Sequence, residues 1–169
     1  MNDLILNEFK ENAIFRLEES LRMINIAFSK IDEKLLWKSP TEKGMALGNQ
    51  ILHSCGNITQ YIISSLGDRV DQRDRELEFS TIGSITIKEL LAKLDKTIKE
   101  AQKTIQNTSV SDYQKVREVQ GFNLSGVGCV LHSIEHFSYH TGQIAFWVKL
   151  QTNKNLCFYD GIDLTKKNH

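Results

Sequence analysis

Apolar residues recur every three or four positions in four long segments of this chain, and polar stretches separate the segments. This spacing gathers apolar side chains on one face of an α-helix. It predicts helices over residues 4–31, 45–66, 86–107 and 126–150. Before the third helix, Thr86 and Glu89 have the spacing of a capping box, in which both side chains bond backbone N–H groups at the helix start.

The polar stretches between these helices predict little regular structure. They are a connection marked by Pro40 and Gly44, a charged polar loop over 68–82, an irregular segment over 107–125 with an extended piece at Val116–Val119, and a polar tail over 151–169. We expect the Trp37 side chain to fold back onto the core as an apolar plug. Phe158 and Tyr159 of the tail are expected to lie against the body of the protein.

Four amphipathic helices with little strand signal predict an all-α fold. The architecture that best buries four such faces is an antiparallel four-helix bundle with long connections. No repeat of solenoid period is present, and no shift in composition divides the chain. We therefore expect a single domain over residues 1–169.

Composition narrows the classes of partner. Lysine plus arginine and aspartate plus glutamate each number 21, so no global field favours nucleic acid or an anionic membrane. The apolar runs are too short for a transmembrane helix, and the N-terminal residues are too polar for a secretory signal. The three cysteines are far apart and lack CxxC spacing, which suits a reducing compartment. A cytoplasmic protein without nucleic-acid or membrane partners is expected.

The most informative stretch lies in the fourth predicted helix, where His132, His136 and His140 follow one another at four-residue steps. Each step rotates the helix by only about 40°, so the imidazoles form one stripe. Neighbours on the stripe are close enough to bind one metal ion together. A third ligand must come from elsewhere, and His53 of the second helix is the other internal histidine.

One hypothesis joins His53, His136 and His140 on a divalent metal ion. Three imidazoles leave a coordination position open, as catalytic sites do, and imidazole suits zinc or nickel better than calcium or magnesium. His132 could replace His136 or His140 as a ligand, or it could support one of the metal-binding histidines without binding the metal itself. The alternative is that all these histidines lie at the surface or are hydrogen-bonded in the core. A helical wheel supports that alternative, because His53 lies opposite the apolar stripe of its helix.

Further residues are candidates for supporting roles. Glu135 and Gln143 are near enough along the helix to orient an imidazole or a bound water, and Asn57 is a third such candidate. Glu135 is also a candidate general base.

Substrate contacts could come from Arg73, Arg75 and Trp147. For the two arginines, the alternative to binding an anion is a solvated loop. For Trp147, the alternative is a place at the edge of the core.

Two motifs resemble those of a known superfamily. The sequence Leu52-His53-Ser-Cys-Gly56-Asn57 resembles the first-histidine motif of the DinB-like four-helix-bundle superfamily. Glu135-His136-Phe-Ser-Tyr-His140-Thr-Gly142-Gln143-Ile144 resembles its second motif, and the likeness covers nearly the whole chain. The loop Arg73-Asp-Arg-Glu-Leu-Glu-Phe79 is similar to that of one subgroup of uncharacterised bacterial members.

This resemblance implies that His53, His136 and His140 hold a divalent metal ion, usually zinc or nickel, with water in the open positions. Characterised relatives include thiol-dependent S-transferases and isomerases that use low-molecular-weight thiols such as bacillithiol or mycothiol. His132 is additional to the common triad. Relatives often pair as homodimers, for which the seam of the third helix and the exposed first helix are candidate surfaces.

Three functions are compatible with these observations. In a metal-dependent transferase, the metal would bind a small thiol as its thiolate and present the sulfur to an electrophile. In metal-assisted hydrolysis, a metal-bound water would be the nucleophile and Glu135 its base. In the third, the protein is a non-catalytic, stress-related binding or interaction protein whose metal stabilises the bundle.

Overall fold

A computed structural model describes residues 3–167. In chain order its elements are α1 (Asp3–Phe28), α2 (Glu33–Leu36), α3 (Leu47–Ile58), a π-helix that continues α3 (Thr59–Leu66), α4 (Arg75–Ser80), α5 (Ile87–Asn107), α6 (Val110–Gln114), β1 (Val116–Val119), β2 (Phe122–Ser125) and α7 (Gly126–Thr152). Residues 1–2 and 168–169, which the predicted domain includes, lie outside the described range. None of the described helices is long and apolar enough to span a bilayer.

Four long helices form the bundle, which confirms the prediction of an all-α fold with long connections. Each packs mainly against two others: α1 and α3 both contact α5 and α7. Helices that follow one another in sequence therefore do not all lie side by side, since α1 and α3 occupy opposite corners, as do α5 and α7. A connection that reaches an opposite corner has to be long. The connection from α1 to α3 contains α2, and the connection from α5 to α7 contains α6, β1 and β2.

The apolar stripes meet in the centre of the bundle as the spacing predicts. On α3 and its π-helical continuation, Ile51, Cys55, Ile58, Ile62 and Leu66 are all buried. On α5 the inward residues are Leu90, Leu94, Ile98, Ala101 and Ile105. Because the α5 seam is buried inside the bundle, it is not available as the dimer surface that the sequence suggested.

The start of α5 is held by the predicted capping box. The Thr86 hydroxyl accepts a hydrogen bond from the Glu89 backbone N–H, and the Glu89 carboxylate accepts one from the Thr86 N–H at 2.9 Å. Trp37 packs against the core, and its indole N–H donates at 3.0 Å to the carbonyl of Ile85, which lies just before α5 in the sequence. The apolar plug predicted for Trp37 is thus present.

The polar segment 68–82 differs from the prediction of a solvated loop. Asp74 accepts a hydrogen bond from the Leu77 N–H at 2.9 Å and begins the short helix α4, which packs on α3. Inside this charged stretch, Glu78 is only 7% exposed and the Arg73 side chain only 3%. The two opposite charges bond to each other, which is what allows them to be buried.

Two other segments also contain more order than predicted. In 107–125, the expected strand at Val116–Val119 pairs with a second strand, Phe122–Ser125, through a turn at Gln120 and Gly121. Both turn residues have positive φ, as the type I′ turn of a two-residue β-hairpin loop requires. In the tail, Phe158 packs on the core as expected, but Tyr159 is 45% exposed and the buried side chain is Leu156.

Candidate metal centre

Three imidazoles converge between α3 and α7. One ring nitrogen from each of His53, His136 and His140 lies within 4.8 Å of the other two. Nε2 of His53 and Nε2 of His136 are 3.1 Å apart. The i and i+4 positions of His136 and His140 put their ring centroids 4.6 Å apart on consecutive turns of α7. His53 and His140 are nearly fully buried, and His136 is partly buried.

This arrangement fits a divalent metal ion such as zinc. Two imidazole nitrogens bound to one zinc ion at about 2.0–2.1 Å lie roughly 3–3.4 Å apart, depending on the bond angle. The observed 3.1 Å falls within this range. The Nδ1 atoms of His136 and His140 are buried and have no hydrogen-bond partner within residues 3–167, so no protein hydrogen bond at Nδ1 orients these two rings. The three histidines could therefore hold a metal ion.

The charge state of the α7 histidines suits metal binding. Burial, assisted by His140, His53, His132 and Arg73, lowers the pKa of His136 to about 3. Burial and the proximity of His53 lower the pKa of His140 to about 4, while Gln143 acts in the opposite direction. Both rings are consequently neutral at physiological pH, with lone pairs free for a metal.

His53 differs from the other two because a carboxylate supports it. Its Nδ1 lies 2.9 Å from Glu78 Oε2. Arg73 binds the same carboxylate with two N–H groups, from Nε to Oε1 at 2.7 Å and from Nη2 to Oε2 at 2.9 Å. Burial raises the pKa of Glu78, but the hydrogen bonds from Arg73 and His53 outweigh it and the net shift is downward. Glu78 is thus an ionised acceptor at neutral pH.

His132 lies beside the triad, not in it. Its ring stacks on Tyr61 with centroids 4.1 Å apart and faces His136 at 5.9 Å. Asn57 Nδ2 is 3.4 Å from His132 Nε2, so Asn57 contacts His132 and not one of the three converging rings. Tyr61, from the π-helix, in turn donates to Gln120 of the hairpin turn at 3.0 Å. His132 is placed by this neighbouring aromatic layer.

The remaining predicted site residues are spread around the centre. Glu135 is exposed and lies near His132. Burial lowers the pKa of His132, and the Glu135 carboxylate opposes this shift only in part. Gln143 is exposed and near His140. Trp147 is half-buried against the core, and its buried indole nitrogen has no partner in the described part of the chain. Its position agrees with the alternative of a core-edge residue.

The two arginines have different environments. Arg73 is engaged by Glu78 and also donates from Nη1 to Gln60 Oε1 at 2.8 Å, so its donors are directed inward. Arg75 is exposed, and its guanidinium lies 4.9 Å from the ring centroid of Phe79. The Phe79 ring is itself 5.0 Å from that of His53. Of the two, Arg75 is the one whose guanidinium forms no ion pair with another residue of the described range, and it lies at the edge of the centre beside Phe79.

A cavity of about 360 Å³ lies next to the Arg73–Glu78 pair, between α3, α4 and α5. Its lining includes Gly56, Arg73 and Glu78 but none of the three converging histidines. Cys55 also lines it, and burial raises the pKa of this thiol to about 11, so it is protonated and unreactive at neutral pH.

Sequence reasoning missed Glu78 and Phe79, which contact His53 from a neighbouring segment. Both were included in a stretch interpreted as solvated because of its dense charge. One local signal was present: Asp74 precedes Leu77 at the spacing of an N-cap and its bonded N3 residue, which marks a helix start. Nothing in the local pattern indicated which face of α3 this helix would cover.

The bundle has the fold of a DinB-like protein. The fold is similar to the crystal structure of a DinB-like protein from Bacillus cereus ATCC 10987, with a TM-score of 0.68 at 15% identity over 88% of this chain and 93% of that one. It is also similar to a conserved protein from Enterococcus faecalis, with a TM-score of 0.65 at 13% identity over 91% and 99% of the two chains. The predicted resemblance to this superfamily is confirmed.

Within the superfamily, the chain belongs to the family described as a protein of unknown function (DUF1572), which it matches over residues 5–159. No curated protein matches the sequence. At 13–15% identity the solved structures establish the fold, while the chemistry has to be argued from the residues of this chain.

Proposed function

We propose that this protein binds one divalent metal ion, zinc or nickel, through His53, His136 and His140 and acts on a small molecule. The leading activity is transfer of a low-molecular-weight thiol to an electrophile. The observation that supports this most strongly is the convergence of three imidazole nitrogens within 4.8 Å of one another at a largely buried site. A group of three ligands leaves room for an exchangeable one, as catalytic sites do.

The metal, when bound, would stabilise a thiol as its thiolate and so provide a nucleophile at neutral pH. The chain contributes position and charge. Glu78 orients His53, and the neutral His136 and His140 complete the ligand set. Arg75, exposed beside Phe79 at the edge of the centre, would attract an anionic group of the thiol or of its acceptor.

Hydrolysis is a weaker proposal for this site. It requires a base within hydrogen-bond reach of the attacking water. The candidate, Glu135, is exposed, and its charge acts on His132. Glu78, the carboxylate that contacts His53, is occupied by His53 and Arg73.

The first experiment is metal analysis of the protein purified without a histidine tag, followed by a thiol-transferase screen. The screen would follow consumption of monochlorobimane with bacillithiol, mycothiol, cysteine and glutathione, with the metal-loaded wild type and with the His136→Ala variant as control. Turnover that requires both the metal and His136 supports the transferase. Stoichiometric metal with a thermal shift on chelation, but no turnover with any thiol, would favour a non-catalytic metal-binding protein. Absence of metal after reconstitution would reject the site.

We also propose, as a separate point, that two copies associate through exposed apolar side chains. On α7 these include Leu131, Phe146 and Leu150, at 53%, 65% and 60% exposure, and on α1 they include Leu4 and Phe15. Proteins that remain monomeric in water rarely expose large contiguous patches of apolar side chains, and such patches often mark protein–protein interfaces. Light scattering over a range of concentrations is the test, and a concentration-independent monomer would reject the dimer.

A further inference from the structure

We infer that Glu78 and Arg73 are positioning residues for His53: they hold its ring with Nε2 facing the other two histidines, in a space that Gly56 keeps open. This inference deepens the proposed metal site and rests on it. It assigns a role in metal binding to a charged segment that packs on α3 from outside the bundle.

The first step is the tautomer of His53. A carboxylate can only accept, so the 2.9 Å contact between His53 Nδ1 and Glu78 Oε2 requires a proton on Nδ1. Arg73 Nη2 is also 3.2 Å from Nδ1, but a guanidinium only donates and cannot satisfy that proton. In the neutral ring the lone pair is then on Nε2, the atom that lies 3.1 Å from His136 Nε2. The carboxylate thus selects the ring nitrogen that points into the centre.

The second step is the position of the carboxylate itself. Arg73 binds both oxygens of Glu78 in a two-pronged arrangement, which fixes the plane of the carboxylate as well as its place. Both side chains are at least nine-tenths buried. Hydrogen-bond partners of this kind orient metal-binding histidines in other proteins, and their loss typically weakens metal binding.

The third step is the room for this pair beside α3. A Cβ atom at Gly56 would lie 1.7 Å from Glu78 Oε1 and 2.9 Å from Arg73 Nε, so no larger residue fits without moving them. Glycine inside a helix is otherwise unfavourable. Its place one turn after His53 is explained by the close approach of the ion pair.

A purely structural role for the pair is the competing interpretation, since both residues also help to attach α4 to α3. The chain offers a matched control. The Asn49 side chain donates to the carbonyl oxygens of Glu78 at 3.0 Å and Thr81 at 2.9 Å, and so attaches the same helix without donating a hydrogen bond to the His53 ring. Loss of Asn49 should loosen α4, while loss of the Glu78 carboxylate should change His53.

The test compares wild type with Glu78→Gln, Gly56→Ala and Asn49→Ala. Affinity for Zn²⁺ would be measured by competition with a chromophoric chelator, and the His53 tautomer of the metal-free protein by nitrogen-15 NMR of the imidazole. We expect Glu78→Gln and Gly56→Ala to weaken Zn²⁺ binding by roughly 10- to 100-fold and to reduce the population with a proton on Nδ1. Asn49→Ala should increase amide exchange in α4 and leave both His53 readouts close to wild type.

Glu78→Gln is nearly isosteric, so it keeps the test valid even where Gly56→Ala fails to fold. Unchanged Zn²⁺ affinity and tautomer in Glu78→Gln would overturn the inference, as would equal losses of affinity in Glu78→Gln and Asn49→Ala. If wild type binds no Zn²⁺, the proposed function fails. The tautomer measurement on the metal-free proteins then still decides whether Glu78 positions the His53 ring.

Discussion

His53 and the α7 pair face each other across the same centre, but the protein holds them differently. On the α3 side, the His53 ring is bound by Glu78 and, through it, by Arg73. On the α7 side, Nδ1 of both His136 and His140 is buried without a partner in the described residues. The first side is organised by hydrogen bonds to a charged pair, and the second by the helical spacing of two rings whose Nδ1 atoms have no such support.

This difference indicates what each side contributes. Helix periodicity places His136 and His140 on consecutive turns, so the backbone itself sets the spacing between the two rings. His53 is a single side chain on a different helix and needs an external group to fix its ring. The α7 side carries the cost of two buried Nδ1 atoms that no described protein group pairs.

The largest expected effect is loss of metal binding when any of the three rings is removed. His53→Ala, His136→Ala and His140→Ala each leave two imidazoles, and two do not make a tight site. We expect metal content near zero for all three variants after dialysis, measured by mass spectrometry of the metal. Full occupancy in any one of them would show that the assignment of that ligand is wrong, with His132 as the first substitute to test.

The comparison predicts unequal stabilities for the same variants without metal. His53→Ala removes a hydrogen bond from a buried carboxylate and should cost about 1–3 kcal/mol of unfolding free energy. His140→Ala removes a ring whose Nδ1 already lacks a partner, so its loss should be smaller. Urea unfolding of the metal-free proteins measures both. Equal losses would mean that the two sides are not held differently.

A smaller effect is expected for His132, which lies beside the triad. His132→Ala removes the ring stacked between Tyr61 and His136 but leaves all three proposed ligands. Metal affinity should fall by about tenfold, the lower end of the range for residues that support ligands. Competition with a chelator measures it, with Tyr61→Phe as a control that keeps an aromatic ring. An empty site in His132→Ala would make His132 a ligand.

The last expected effect concerns pH in the metal-free protein. The pKa of His136 is lowered to about 3 and that of His140 to about 4, against about 6.5 for a free imidazole. Between these values the unfolded chain binds more protons, so stability should fall as pH drops below about 6.5. Above that pH these two residues should contribute no pH dependence. Urea unfolding between pH 7 and 4.5 is the measurement, and a double His136→Ala, His140→Ala variant should show a shallower decline.

Much of the fold could be predicted because its causes are local. The capping box at Thr86 and Glu89 and the apolar spacing of α5 act between residues at most four apart, and the helix begins within one residue of the prediction. The end of α1 was less predictable. Its apolar spacing continues to Ile31, but the helix ends at Phe28. Ile31 still packs on the core from the following turn, so apolar spacing by itself does not mark where the helix ends.

The sequence alone determined the four amphipathic helices and the histidine stripe of α7, because helical periodicity carries that information. The two motifs that resemble those of DinB-like proteins predicted His53, His136 and His140 as the converging set, and the tertiary structure placed His132 beside it. Only the tertiary structure decided that His53 is buried. On the isolated helix it faces away from the apolar stripe, and it leaves solvent because α4 covers that face. Charged residues predict solvent exposure when considered one by one. Arg73 and Glu78 are buried because each neutralises the charge of the other in the space beside Gly56 of α3. This pairing exists only after the chain has folded.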